Sequence, residues 1–299
     1  MPILFPYIMS KLLTEIMGRL SSRYTPSEAR AVAFALLEDA FGVGRTDVYA
    51  DKVRQFSQEE EQRLQAILRS IGEGMPLQYA TGVARFDGWL LHVSPATLIP
   101  RPETEELVAW AADVAAAMKA SEGQTLRLLD AGTGSGCIAL SLALRLGRSW
   151  QVTALDINAD TLSVARANAR TYGAAVRFEQ VDLLAHPRAA HSFDLIVSNP
   201  PYVCQSERAE MEAQVLDYEP ERALFVPDND PLLFYRALVE LAQHALQPAG
   251  WLLLEVNRAY AAATADLLRQ AGMQDVEVRC DAFGNPRMVG GRASLKELG

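Results

Sequence analysis

Cysteine is scarce in this chain. Cys137, Cys204 and Cys280 stand far apart among 299 residues, with no CxxC pair and no metal-ligand spacing. An odd, scattered set excludes a disulfide framework and points to a reducing, cytoplasmic compartment. Histidine is as sparse. His92, His186, His191 and His244 do not cluster, which argues against a zinc site. Long apolar runs are missing. None reaches the ~20 residues of a membrane span, and Pro2, Pro6, Lys11 and Glu15 interrupt the N-terminus where a secretory signal would lie. Basic charge is also short. Lys plus Arg total 28 against 37 Asp plus Glu, a formal net charge of −9. That balance excludes broad, non-specific binding to nucleic acid, though not a local basic patch.

What is present suits a globular protein. Hydrophobic residues make up 49%, too many for disorder. The length accommodates one sizeable domain with a smaller companion.

Residues 1–75 read as helices only, a small bundle. Met9, Leu12, Ile16 and Leu20 recur at helical spacing. Thr25-Pro26-Ser27-Glu28 is a capping box with proline at the first helical position. The helix it starts carries Val32, Leu36 and Ala40 on one face and should stop near Gly42. Ser57-Gln58-Glu59-Glu60 is a second capping box, followed by Leu64, Ile67, Leu68 and Ile71 and then Gly72. No residue cluster in this stretch points to chemistry; a folding unit or partner-binding module is the plain reading. Residues 76–100, punctuated by Pro76, Gly82, Gly88, Pro95 and Pro100, fit a β-hairpin linker.

Residues 101–299 alternate between strand and helix patterns. Strands are expected at 126–129, 152–155, 176–181, 193–197, 251–256 and 276–278. This alternation predicts an α/β domain with a mostly parallel sheet covered on both faces. Its ligands should sit beyond the carboxyl ends of the strands.

The first of these strands runs into Asp130-Ala131-Gly132-Thr133-Gly134-Ser135-Gly136. Three alternating glycines let backbone approach a ligand closely, and a bare turn has no need of them. Asp156 ends the next strand, twenty positions after Gly136, where a carboxylate can accept from ribose hydroxyls. A nicotinamide dinucleotide would fit that much. However, the leading Asp130 would repel a pyrophosphate and suits the cationic methionine end of S-adenosylmethionine.

The second signal is Asn199-Pro200-Pro201-Tyr202 at the end of the fourth strand. Prolines fix φ and remove N–H donors, leaving a rigid segment of acceptors. Asn199 adds a side-chain carbonyl oxygen and Tyr202 a flat face for stacking. The array suits a planar NH₂ group, either an amide or an exocyclic amine. Acceptors on both N–H bonds would raise electron density on nitrogen and aim it, so catalysis would rest on positioning and preorganisation. A turn stiffened by two prolines is the plainer reading, weakened by the cofactor loop beside it.

These residues resemble class I S-adenosylmethionine-dependent methyltransferases of the amino-methylating kind. More narrowly, the chain is similar to the protein-(glutamine-N5) methyltransferases of peptide chain release factors, the HemK family. Pro76-Leu77-Gln78-Tyr79-Ala80-Thr81-Gly82, Leu98-Ile99-Pro100-Arg101-Pro102-Glu103-Thr104-Glu105 and Tyr218-Glu219-Pro220 carry the resemblance further, over almost the whole chain. It implies a Rossmann-like class I methyltransferase domain preceded by a small all-helical N-terminal domain that docks the release factor. The reaction implied is methylation of the glutamine side-chain amide in a Gly-Gly-Gln motif. Carried over, Gly132 to Gly136 would hold the methionine part of the cofactor, Asp156 the ribose, and Leu183 would lie by the adenine. Asn199 and the Pro200 carbonyl would bind the glutamine amide, with Tyr202 beside it. Two positions depart from the family: Leu183, where many relatives have tryptophan, and Asn257, where glycine is usual. Pro102, Glu103 and Glu105 also make a good helix start, while Tyr218-Glu219-Pro220 reads as loop.

The alternatives are a ribosomal-protein glutamine methyltransferase, an adenine-N6 methyltransferase and a non-catalytic cofactor-binding scaffold. Charge weighs against the second. Residues 1–75 carry 9 basic and 10 acidic residues, so residues 76–299 hold 19 and 27, a net −8 in the catalytic part. That is an awkward face for phosphates. The resemblance at Pro100 to Glu105 favours release factors over a ribosomal protein as partner, and an intact Asn199-Pro200-Pro201-Tyr202 argues against a mere scaffold; direct nucleic acid or membrane is not expected, and nothing requires more than a monomer.

Overall fold

The computed structural model describes residues 4–118, 125–185 and 192–294. His186 and His191 lie outside them. The chain divides into two compact units. The first comprises residues 1–84, 93–95 and 212–218; the second comprises 85–92, 96–211 and 219–299.

The first unit runs β1 (Leu4–Ile8), α1 (Met9–Leu20), α2 (Pro26–Phe41), α3 (Arg45–Tyr49), β2 (Val53–Ser57), α4 (Gln58–Glu73) and α5 (Leu77–Thr81). Both capping boxes form. The Glu28 amide donates to Thr25 Oγ1 at 3.4 Å, and the Thr25 amide donates to Glu28 Oε2 at 2.9 Å. The same reciprocal pair joins Ser57 and Glu60 at 3.1 and 2.9 Å. Helix α2 ends at Gly42 with φ +64°. Its buried residues are Ala29, Ala33, Phe34, Leu36, Leu37 and Phe41; Val32 and Ala40 are only partly buried. Helix α4 continues through Gly72 and is capped by Gly74.

The expectation of helices only is corrected here. β1 and β2 pair antiparallel, from Leu4 opposite Ser57 to Ile8 opposite Val53. Two short runs so far apart, one containing proline, carry no hairpin signal. The pairing is anchored by Phe56, which is fully buried and stacks on Phe41 with ring centroids 5.1 Å apart.

A hairpin of β3 (Val83–Phe86) and β4 (Trp89–His92) follows. Its turn residues Asp87 and Gly88 have φ of +50° and +80°, suiting the tight turn that favours Asp-Gly.

The second unit contains α6 (Pro102–Ala117), β5 (Leu126–Ala131), α7 (Cys137–Leu146), β6 (Trp150–Asp156), α8 (Ala159–Tyr172), β7 (Val176–Gln180) and β8 (Phe193–Ser198). It continues through β9 (Val203–Cys204), then beyond α9 (Ala213–Tyr218, in the first unit) to α10 (Glu221–Leu224), β10 (Phe225–Val226), α11 (Leu233–Ala245) and β11 (Leu246–Glu255). It closes with α12 (Ala261–Gln270), β12 (Gln274–Cys280) and β13 (Pro286–Arg292). Seven strands form one sheet in the order β12-β13-β11-β8-β5-β6-β7. Strands β11, β8, β5, β6 and β7 are parallel, and β13 is antiparallel to both of its neighbours.

Alternate strand residues separate two cores. Leu128, Val152, Leu195 and Leu253 pack with α6 and α7 on one face. Leu129, Leu155, Ile196, Leu252 and Leu254 pack with α11 and α12 on the other. Such continuous apolar runs are what a sheet covered on both sides demands.

Strand β13 escapes the sequence pattern because of its glycines. A Cβ on Gly290 would lie 2.5 Å from the Trp110 ring, so glycine is required where α6 crosses the strand. Gly291 faces the other side, where a Cβ would lie 3.1 Å from Leu268 on α12; the two glycines that let helices pack on both faces also erase the strand's β signature.

After β5 the chain builds outward through β6 and β7, then returns to place β8 on the other side of β5. Their carboxyl ends therefore flank a topological switch point. The Ser198 hydroxyl ties the two ends together by donating to the Ala131 carbonyl at 2.6 Å.

Candidate active site

The glycine loop occupies this switch point. Gly132, Gly134 and Gly136 have φ of +77°, +57° and +83°. The Gly132 and Thr133 amides donate to the Leu155 carbonyl at 2.9 and 2.8 Å, which holds the loop against β6. Gly136 has a second constraint: a Cβ there would sit 3.1 Å from that of Ala165, so glycine lets α8 approach the loop.

Asp130 is fully buried beneath the loop rather than in a cavity wall. Its Oδ2 accepts from the Thr133 hydroxyl at 2.5 Å and the Ala139 amide at 3.0 Å. No hydrogen-bond partner reaches Oδ1 among the described residues. Burial raises its pKa to about 7, against the lowering effect of those two bonds.

A cavity of about 320 Å³ opens in front of the loop. Gly132, Thr133, Gly134, Ser135, Asp156, Leu183, Asn199 and Pro201 all line it. Thus two motifs some sixty residues apart meet in one space. Gly136, Pro200 and Tyr202 are not in its wall. Gly136 faces α8, Pro200 is buried, and the Tyr202 ring packs into the core formed with α11 and α12.

Asp156 Oδ2 accepts from the Gly134 amide at 3.1 Å, and Oδ1 from the Asn158 amide at 2.9 Å. Burial raises its pKa, opposed by the backbone amides of Asn158, Gly134 and Ile157. A carboxylate has about four acceptor positions, so this one retains capacity toward the cavity. Apolar Ile157 and Leu183 lie alongside. This donor set fits a nucleoside: an acceptor for a ribose hydroxyl, apolar walls for a base, and a glycine loop open to close approach.

Across the cavity, Asn199 Nδ2 donates to Thr104 Oγ1 at 3.1 Å. The Thr104 hydroxyl donates to Glu255 Oε2 at 2.6 Å, and the Tyr202 hydroxyl donates to Glu255 Oε1 at 3.1 Å. Glu255 is 1% exposed. Burial raises its pKa, resisted by these two bonds and by the Arg287 charge. Cys137 also lines the cavity, but burial pushes its thiol up to about 12, so it stays protonated and unreactive.

Residues 11–82 match the family described as PrmC N-terminal domain, and residues 128–216 match the family described as methyltransferase domain. The chain is 40% identical to the release factor glutamine methyltransferase of Bacteroides thetaiotaomicron, over 94% of this chain and 99% of that protein. It is 37% identical to that of Flavobacterium psychrophilum, covering 92% and 96% of the two chains. It is 38% identical to that of Chlorobaculum tepidum, covering 85% and 87%.

The chain belongs to the release factor glutamine methyltransferase family.

Several residues that shape the site in this family member are invisible in its sequence. Glu219 lies in the bend between α9 and α10, as a loop reading expects, but its side chain has a definite role. It is buried and accepts from the Ile99 amide at 3.1 Å and from Arg101 at 2.6 Å. The Thr161 hydroxyl donates to the Ala96 carbonyl at 2.7 Å. Together they hold segment 96–101, part of the cavity wall, at both ends. Asn168 is fully buried, and its Nδ2 donates to the Ser135 carbonyl at 2.9 Å. No local pattern announces these groups, because each partner is distant in sequence.

The departure at Asn257 needs no glycine. Its φ is −62°, its Oδ1 accepts from the Ala259 amide at 3.0 Å, and its Nδ2 donates to Glu207 at 3.0 Å and to the Tyr202 carbonyl at 3.3 Å. Among the described residues no group of acidic, histidine or cysteine side chains could hold a metal ion. None of the described helices is long and apolar enough to cross a membrane.

Proposed function

We propose that this chain methylates the side-chain amide nitrogen of the glutamine in the Gly-Gly-Gln motif of peptide chain release factors, using S-adenosylmethionine. The observation that carries this reading is the meeting of Asn199 and the glycine loop in one cavity at the β5–β8 switch point. Family membership supplies the substrate class.

S-adenosylmethionine, when bound, supplies a methyl group on a cationic sulfur. The glycine loop and Asp156 would hold its methionine and ribose parts, and Leu183 with Ile157 would flank its base. The protein's remaining task is to make an amide nitrogen attack. Such a nitrogen is a poor nucleophile because its lone pair is delocalised into the carbonyl. Asn199 Oδ1, in the cavity wall, would accept from one of its N–H groups, raising density on nitrogen and fixing its direction. The nitrogen would take the methyl carbon as that carbon's bond to the cationic sulfur breaks, leaving S-adenosylhomocysteine as a neutral thioether, and would lose one proton to solvent. Residues 1–75 are assigned to docking the release factor, on the resemblance of that part of the chain to the family.

Transfer of a labelled methyl group to purified release factor tests the reading. Label should enter the wild-type factor and not a Gln→Ala variant of its Gly-Gly-Gln motif. Label in duplex DNA, or in a ribosomal protein alone, overturns it.

A further inference from the structure

We propose that Thr104 and Glu255 decide which end of the Asn199 amide faces the cavity, and so position the substrate amide without touching the methyl group. The proposal rests on the function given above.

An asparagine amide has a carbonyl end that accepts and an NH₂ end that donates. Only the carbonyl end can receive an N–H from a glutamine amide. A half-turn about the last side-chain bond would set NH₂ against NH₂. The two orientations are nearly identical in shape, so packing alone does not choose between them.

Hydrogen-bond bookkeeping does choose. The Thr104 hydroxyl has one proton, and it lies toward Glu255 Oε2, 2.6 Å away. Glu255 as a carboxylate has no hydrogen to offer. Its other oxygen takes the Tyr202 hydroxyl at 3.1 Å. Burial works against that charge, as does Glu103 on α6, while the hydrogen bonds from Thr104 and Tyr202 and the Arg287 charge on β13 support it; Tyr235 on α11 also lies near. Thr104 is therefore left with lone pairs alone toward Asn199. Only Nδ2 can meet them, and it does so at 3.1 Å. The Oδ1 is then left for the cavity, which Asn199 lines.

This also gives Thr104 a role beyond starting a helix. It is 2% exposed, and the first residue before α6, Arg101, makes no side-chain cap. The Thr104 side chain is spent on Asn199 and Glu255 instead.

Glu255→Gln keeps the shape but supplies an NH₂ that can donate to Thr104. The Thr104 proton is then free to turn toward Asn199 and invert its amide. Thr104→Val keeps the shape and removes the hydroxyl. Thr104→Ser restores it. With the full-length chain and saturating release factor, kcat should fall about 100-fold in Glu255→Gln and Thr104→Val, as on losing one preorganised polar contact. The Thr104→Ser variant should recover to near the wild-type value, and the KM for S-adenosylmethionine should change little throughout. Wild-type kcat in Thr104→Val, or no recovery in Thr104→Ser, overturns the proposal.

A second readout separates this idea from the proposed function. With asparagine-selective ¹⁵N labelling, the Asn199 carboxamide resonance is identified by its absence in Asn199→Ala. It should move in Thr104→Val and Glu255→Gln and return in Thr104→Ser. If the wild-type chain fails to methylate release factor, the functional reading falls. The resonance then decides the positioning claim alone: no movement in either variant overturns it.

Discussion

The side-chain amide of Asn168 clamps the carbonyl of Ser135, with Nδ2 2.9 Å from that oxygen. The same group donates to the His92 carbonyl at 3.0 Å, while Asn168 Oδ1 accepts from the His92 amide at 2.7 Å. One buried side chain on α8 thus joins the glycine loop to the β3–β4 hairpin.

Asn168→Asp tests that clamp. The replacement is isosteric but loses both donated bonds and turns a carboxylate toward two carbonyl oxygens. Stability should fall by about 1–3 kcal/mol, and calorimetry should show weaker binding of S-adenosylmethionine. Unchanged affinity would mean that the clamp does not govern the loop.

Asp156→Ala should weaken cofactor binding at least about tenfold, on the scale of one charged hydrogen bond. The group is largely buried and its pKa is raised, so removing it relieves some desolvation. Affinity should therefore drop more than thermal stability does. An unaltered dissociation constant would remove the ribose assignment.

Asp130 makes stability depend on pH. Its folded pKa, about 7, lies above the unfolded value of 3.8. The folded state therefore holds the proton more tightly, and this contribution is fully present below about pH 4 and lost as pH rises toward 7. The difference is on the order of 4 kcal/mol. Denaturant unfolding of wild type and Asp130→Asn at pH 5 and pH 8 should show the wild type losing stability relative to the variant at the higher pH. Parallel behaviour of the two would show that Asp130 stays ionised throughout.

Glu219→Gln should loosen segment 96–101. It keeps an acceptor for the Ile99 amide but loses the charge that pairs with Arg101. Arg101 is partly exposed, so the expected loss is modest, about 1–2 kcal/mol. The KM for S-adenosylmethionine should rise with it, because this segment lines the cavity. A KM equal to that of the wild type would confine Glu219 to a structural role.

What could be read in advance was local. Thr25 with Glu28, and Ser57 with Glu60, are three residues apart, so their capping boxes are written in four consecutive letters. The glycine loop, Asp156 and Asn199-Pro200-Pro201 are likewise short patterns, whose residue types suggest the proposed chemistry. The pairing of β1 with β2 was not readable, nor was β13, where Gly290 is dictated by Trp110 on α6 and Gly291 abuts Leu268 on α12.

The sequence by itself therefore determined the helix starts, the strand–helix alternation and the chemical character of each half of the site. The tertiary structure decided which groups hold those halves in place. Thr104 reaches Asn199 across 95 residues and Glu255 across 151, and Arg101 reaches Glu219 across 118. Hydrogen bonds of such separation leave no periodicity in the chain. They exist because the sheet order sets β8 between β5 and β11, bringing Asn199 and Glu255 to neighbouring strand ends, with the start of α6 alongside.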